Sequence, residues 1–141
     1  MNDNVVIGIS SQSLEGLNAL VDPRFGRCRA FTVVSVQNGR IINVKGIENP
    51  SMASGGGAGI QAAQLIRDAG VKVVLTGNLG PNASDALNAL GIKVFLGISG
   101  TVENAVTNYL KGQLQPSNSA NVPLHTGAGR SAGMGRGPRV D

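Results

Sequence analysis

Residues 69–96 read Ala69-Gly70-Val71-Lys72-Val73-Val74-Leu75-Thr76-Gly77-Asn78-Leu79-Gly80-Pro81-Asn82-Ala83-Ser84-Asp85-Ala86-Leu87-Asn88-Ala89-Leu90-Gly91-Ile92-Lys93-Val94-Phe95-Leu96. The formula Ala69-Gly70-Val71-Lys72-Val73-Val74 returns as Leu90-Gly91-Ile92-Lys93-Val94-Phe95. Each copy is a glycine followed by a short apolar run of buried-strand type, which predicts strands over Val71 to Thr76 and Ile92 to Leu96. Between them Ala83, Ala86, Leu87 and Leu90 fall on one stripe at helical spacing, which predicts a helix from about Ala83 to Leu90. Strand, helix, strand is the αβ unit of a parallel sheet.

The same rhythm extends in both directions. Downstream, Val102, Ala105, Val106, Tyr109 and Leu110 recur at helical spacing, so a third helix follows. Upstream, a first helix is expected from about Ala58 to Ala69. Gly70, Gly91 and Gly112 recur at equal intervals, each just past a helix, where a left-handed residue is wanted. Before Ile47 the pattern changes. Ala30 to Val36 and Ile41 to Ile47 are β-branched runs joined by Gln37-Asn38-Gly39-Arg40, and Asn-Gly between such runs signals a hairpin. Val5-Val6-Ile7-Gly8-Ile9 is another short buried-strand run.

The order β-β-β-α-β-α-β-α then constrains topology. The hairpin supplies one antiparallel strand, and right-handed crossovers carry the later strands to the other side of the first. The expectation is an α/β fold of three layers, α/β/α, with helices on both faces of a five-stranded mixed sheet in the order 3-2-1-4-5. Ligands of open α/β sheets prefer the switch point, here the crevice beyond Ser10, Ser11, Thr76, Gly77 and Asn78. From Gln113 the chain turns to Pro, Ser, Asn, Gly and Arg without period. A domain over 1–114 and a mobile Gly/Pro/Arg-rich tail over 115–141 are expected.

With 141 residues the chain has room for one ordinary domain. Hydrophobic residues make up 41% and aromatics 3%, with no Trp, so the core is aliphatic. The single cysteine, Cys28, excludes an intramolecular disulfide framework and suits a reducing, cytoplasmic setting. Met1-Asn2-Asp3-Asn4 is not a basic region before an apolar run, so neither a signal-directed export nor a membrane span is expected. The net charge of +4 includes Arg130, Arg136 and Arg139 near the C-terminus. What remains is nearly balanced, and argues little for nucleic acid.

Two segments concentrate chemistry. Asp22-Pro23-Arg24-Phe25-Gly26-Arg27-Cys28-Arg29 packs three arginines and the only thiol before a strand. Arginine forks suit oxyanions or thioanions, and cationic neighbours favour a thiolate at an exposed cysteine. The bland alternative is a solvated loop with Phe25 and Cys28 buried. Glu48-Asn49-Pro50-Ser51-Met52-Ala53-Ser54-Gly55-Gly56-Gly57-Ala58-Gly59 feeds the first helix, where free backbone N–H groups favour anions; the alternative is a plain surface loop. Gly57-x-Gly59-x-x-Ala62 matches the relaxed dinucleotide pattern but starts well past its strand, and no acidic residue ends the next one. No Gly-Lys-Ser/Thr follows, so a phosphate loop is excluded. In Thr76–Asp85, Asn82 with Asp85 reads as a helix cap and first-turn acid, while Gly77 and Gly80 let backbone face the crevice; Thr101 reads as the cap of the third helix.

Catalytic sets are missing. The one histidine, His125, falls in the expected tail, so a Ser-His-Asp or Cys-His pair is not expected. No Cys/His spacing suits zinc, and no matched carboxylates suit a two-metal nuclease. The expectation is a protein that is not an enzyme.

Arg24-Phe25-Gly26-Arg27, Gly57-x-Gly59, Gly77-x-x-Gly80-Pro81-x-Ala83, Leu90-Gly91-Ile92-Lys93-Val94-Phe95 and Val102-x-x-Ala105-Val106 with Leu110-x-x-x-Leu114 occur in that order. Together they resemble the dinitrogenase iron–molybdenum cofactor biosynthesis proteins, over about Val5 to Leu114. The resemblance implies a ribonuclease-H-like fold without nuclease activity. It also implies noncovalent binding or carriage of an anionic metal–sulfide cluster, and a partner protein in cluster delivery. The family includes nitrogenase accessory carriers and the orange proteins, which hold a molybdenum–copper sulfide cluster. The ordered domain lacks the histidine that some carriers use, which favours the orange-protein type. The residues expected to border the cluster are Arg24, Phe25, Gly26, Arg27, Cys28, Met52, Ser54, Gly55, Gly56, Gly57, Gly59, Asn78, Gly80 and Asn82. The competing class is a nucleic-acid-binding relative that uses the basic loop and the Arg-Gly tail, with few aromatics for base stacking.

Overall fold

Asn38 and Gly39 both take left-handed backbone, with φ of 54° and 78°, the geometry that a type I′ turn demands. They join strand β2 (Ala30–Gln37) to β3 (Arg40–Glu48), with Gln37 opposite Arg40 and an irregularity at Ser35/Val36. The computed structural model describes residues 4–50 and 57–117. Strand β1 (Val5–Ser11) pairs antiparallel with β2 and parallel with β4 (Val73–Leu75). Strand β5 (Lys93–Phe95) continues parallel beyond β4. The order of these five is therefore 3-2-1-4-5 with β2 the one reversed strand among them, as the hairpin and crossovers require.

A sixth strand, β6 (Pro116–Ser117), extends the sheet antiparallel to β5, with Pro116 opposite Phe95. The sequence reading ended the sheet at five strands and began the tail at 115. Two residues give no period to detect, and their pairing depends on the open edge that β5 offers.

The helices are α1 (Ala58–Asp68), α2 (Pro81–Ala89) and α3 (Val102–Leu110). Side chains alternate along β2, so Phe31 and Val33 face one layer and Val34 and Val36 the other. On the first face, Ala62, Ala63 and Ile66 of α1 and Ala83 and Leu87 of α2 pack on Phe31, Val33, Val74 and Val94. On the second, Val102, Ala105 and Val106 of α3 cover Ile7, Ile9, Val34, Leu75 and Phe95. The result is three layers. Gly70, Gly91 and Gly112 all take positive φ just past their helices.

α2 begins two residues earlier than its apolar stripe suggested. Gly80 is its N-cap and Pro81 lies in the first turn, where the missing N–H costs no helical bond. Asn82 is thus inside the helix rather than its cap. Thr101 caps α3 as expected, its hydroxyl accepting from the Asn104 N–H at 3.1 Å. Among the described residues no helix is long and apolar enough to cross a membrane. The crossovers bring the N-termini of α1 and α2 to the end of the sheet where β1 and β4 finish.

Candidate functional site

The switch point between β1 and β4 is filled by the chain itself. Ser10, Ser11 and Thr76, expected to line an open crevice, are fully buried. Ser10 Oγ donates to the Asp22 carbonyl at 2.6 Å and lies 2.7 Å from Thr76 Oγ1. Ser11 Oγ lies 2.8 Å from Thr32 Oγ1. The segment from Val21 to Arg24 lies across these strand ends. The Asp22 N–H donates to the Ser10 carbonyl and the Asn78 N–H to the Pro23 carbonyl, at 2.8 and 2.7 Å. A Cβ on Gly77 would stand 2.7 Å from Pro23 Cα. Gly77 therefore serves this close crossing and does not open backbone to a ligand. Asn78 is held in the same bridge, beside Arg24.

Within the segment the arginines separate. Asp22 is buried, and its two carboxylate oxygens accept from Arg24 Nε at 3.1 Å and Nη2 at 3.2 Å. Oδ1 also accepts from the Arg24 backbone N–H at 2.9 Å. That hydrogen-bonded pair raises the guanidinium above its ordinary range. Arg24 thus compensates a buried carboxylate, and it borders a second hollow with Gln12 and Arg29. Phe25 is buried against Phe31, ring centroids 5.3 Å apart. Cys28 is fully buried and its thiol donates to the Phe25 carbonyl at 3.2 Å. Burial pushes the thiol up to about 12. A thiolate is expected only of an exposed cysteine; Cys28 is the buried alternative, and desolvation outweighs the hydrogen bonds from the Ser11 backbone and Asn49 that would lower it.

Arg27 lies on the other side, exposed, at the mouth of a crevice of about 230 Å³. The crevice is formed where three backbones meet. A Cβ on Gly26 would stand 2.9 Å from Gly59 N, and one on Gly59 would stand 2.8 Å from Ala83 Cβ. Only glycines permit the loop, α1 and α2 to approach so closely. Gly57, the N-cap of α1, adopts φ 74° and accepts the first helical bond from Gln61. Gly80 accepts the corresponding bond from Ser84. The first-turn N–H groups of both helices precede those bonds and point outward. Positive helix ends and a guanidinium thus converge on a lining that combines apolar groups from Phe25, Ala58, Pro81 and Ala83 with the polar side chain of Asn82.

Of the residues singled out in the sequence, Phe25, Gly26, Arg27, Gly59, Gly80 and Asn82 come together here, with Gly57 capping the adjoining helix. Met52, Ser54, Gly55 and Gly56 lie outside the described residues, as do His125 and the arginines after it. Sequence reasoning missed Asn49. Its side chain is buried and bonded to the arginine loop, and only the adjacent Pro50 marked it, as a turn. Among the described residues no group of three or more His, Cys, Asp or Glu side chains could hold a metal ion. A larger hollow of about 680 Å³ lies at the opposite end of the sheet, beside Val5, Lys93, Phe95 and Tyr109; none of the arginines lines it.

A family model described as dinitrogenase iron-molybdenum cofactor matches residues 4–112. An uncharacterized protein of Methanocaldococcus jannaschii is 34% identical over 98 residues, which cover 70% of this chain and 83% of that protein. The apo form of the orange protein from Desulfovibrio gigas superposes with a TM-score of 0.77 at 39% identity, covering 83% of this chain and 96% of that one. A protein from Thermotoga described as a NifB protein of the DUF35 family superposes at 0.71 with 29% identity, covering 84% and 97%.

Proposed function

Because this chain belongs to the dinitrogenase iron-molybdenum cofactor family, we propose that it binds and carries a preformed anionic metal–sulfide cluster, of molybdenum–copper sulfide type, without covalent attachment. The observation that supports this most is the meeting of two helix N-termini with Arg27 over a lining that mixes apolar groups with Asn82. Such a donor set suits an anion that brings its own sulfides. A bare cation would face positive helix ends and an arginine with no carboxylate, thiolate or imidazole in the lining. Arg27 and the first-turn amides of α1 and α2 would donate to sulfide, while Phe25, Ala58 and Pro81 offer soft apolar contact. Met52 and Ser54 to Gly56, which precede α1 in sequence, are proposed to complete the site. Cys28 supplies no thiolate to the cargo; its buried side chain serves the loop itself, through Phe25 and Asn49.

On this reading the protein is a carrier rather than an enzyme. It hands the cluster to a partner protein, works in the reducing cytoplasm, and uses the ribonuclease-H-like architecture without nuclease chemistry. Titrating the apo protein with tetrathiomolybdate and a copper salt should give visible charge-transfer absorption that stays with the protein on gel filtration. Arg27→Ala should weaken retention about tenfold, the loss of one charge-assisted hydrogen bond. Arg24→Ala should cost more stability and less affinity, because it strips the partner from buried Asp22. A colourless protein that instead binds oligonucleotides tightly and salt-sensitively would favour the nucleic-acid reading.

A further inference from the structure

We propose that Asn49 is the positioning residue of this site, its buried amide fixing the backbone on both sides of Arg27. The inference rests on reading the crevice as the cargo site. Asn49 follows β3 directly and is 2% exposed. Its Nδ2 donates to the Gly26 carbonyl at 3.2 Å and to the Cys28 carbonyl at 2.9 Å. These are the carbonyls of the residues immediately before and after Arg27, and the same nitrogen also lies 3.6 Å from Cys28 Sγ. The Asn49 backbone N–H donates to the Arg29 carbonyl at 3.0 Å.

An amide at such a buried position gains little from apolar burial, so its bonds are the reason for it. What they secure is a turn that would otherwise be loose. Arg27 is exposed and has a long side chain, and the freedom of its Cα would multiply that of its guanidinium. Holding the 26–27 and 28–29 peptides, one directly before Arg27 and one a residue beyond it, restricts the backbone part of that freedom before cargo arrives. Pre-ordering of this kind raises affinity by reducing what must be ordered on binding.

A double-mutant cycle tests this with Asn49→Ala, Arg27→Ala and the pair, using tetrathiomolybdate with copper as the probe and thermal melting in parallel. Asn49→Ala should lower the melting temperature and weaken retention about tenfold. In the Arg27→Ala background its effect on affinity should shrink to within about twofold, while its effect on melting persists. Equal affinity losses in both backgrounds, or a lower melting temperature with unchanged affinity, would overturn the proposal and leave Asn49 a structural residue. Asn49→Ser, which retains a donor, should recover part of the affinity if the alanine variant folds poorly; no recovery over alanine counts against the clamp. Amide ¹⁵N relaxation at Arg27 in the apo protein reads the clamp without any cargo. It should show new fast motion in the variant, and unchanged relaxation would refute the clamp. A wild-type protein that fails to bind the probe, with the relaxation change present, would sink the carrier reading alone.

Discussion

At the scale of the residue, the Cys28 thiol is sealed from solvent, donates to the Phe25 carbonyl at 3.2 Å, and is pushed up to about 12 by burial. The unfolded chain loses that proton near the ordinary value of 9.0. Below that pH both states hold the proton and the group adds no pH dependence. Between 9.0 and about 12 the unfolded state is ionised and the folded state is not, so stability falls as pH rises. One proton corresponds to a slope of about 1.4 kcal/mol per pH unit. Cys28→Ser removes that slope. Denaturant melts over this range should therefore show the wild type losing its stability relative to the variant, and a constant difference would contradict the buried thiol. A thiol reagent should label native protein only at the rate of opening, and cargo retention should change little in the serine variant.

At the scale of the element, the crevice depends on how closely α1 and α2 approach. Gly59 is the contact: an added Cβ would come within 2.8 Å of Ala83 Cβ and 3.4 Å of its Cα. Helix backbone must shift to accept it, so Gly59→Ala should cost about 1–3 kcal/mol and widen the gap between the helix ends. Gly80 is the control. It has φ −80° and nothing within 4 Å of an added Cβ. Gly80→Ala should leave stability within about 0.5 kcal/mol yet weaken cargo retention, because the methyl group stands where cargo would meet the first turn of α2. Chemical denaturation and the thiometallate titration together check both. A destabilised Gly80→Ala or an unaffected Gly59→Ala would mean that the helix termini are not spaced as described.

At the scale of the molecule, β6 is the outermost described strand on the β5 side of the sheet. A chain ending at Gln115 loses Pro116 and Ser117 and their pairing with Phe95 and Val94, whereas a chain ending at Ser117 keeps it. The first truncation should lower stability by about 1 kcal/mol, the scale of one or two backbone hydrogen bonds, and the second should leave melting unchanged. If cargo release quickens in the second, the residues after 117 act on the bound cluster. A large loss of apo stability in the second would make those residues part of the core.

The sheet order was legible in the sequence because it follows from local signals that leave few topologies open. Asn38-Gly39 forces a hairpin, and the repeated glycine-strand formula at Gly70 and Gly91 imposes parallel αβ units. The unusual composition of the arginine loop and of the glycines opening α1 singled them out, and the fold brings Gly26, Arg27 and Gly59 to one crevice. Which arginine does what was not legible. Arg24 and Arg27 differ in sequence only by position, and it is the buried Asp22 carboxylate that engages Arg24, whose own side chain stays exposed. The switch point looked open because strand ends carry no sign of what covers them. Only the folded chain brings Pro23 onto Gly77 and Asn49 beneath Arg27, contacts between residues far apart in sequence. Local propensity and periodicity determine elements and their order; desolvation and long-range hydrogen bonding, which exist only once the layers have packed, decided the geometry of the site.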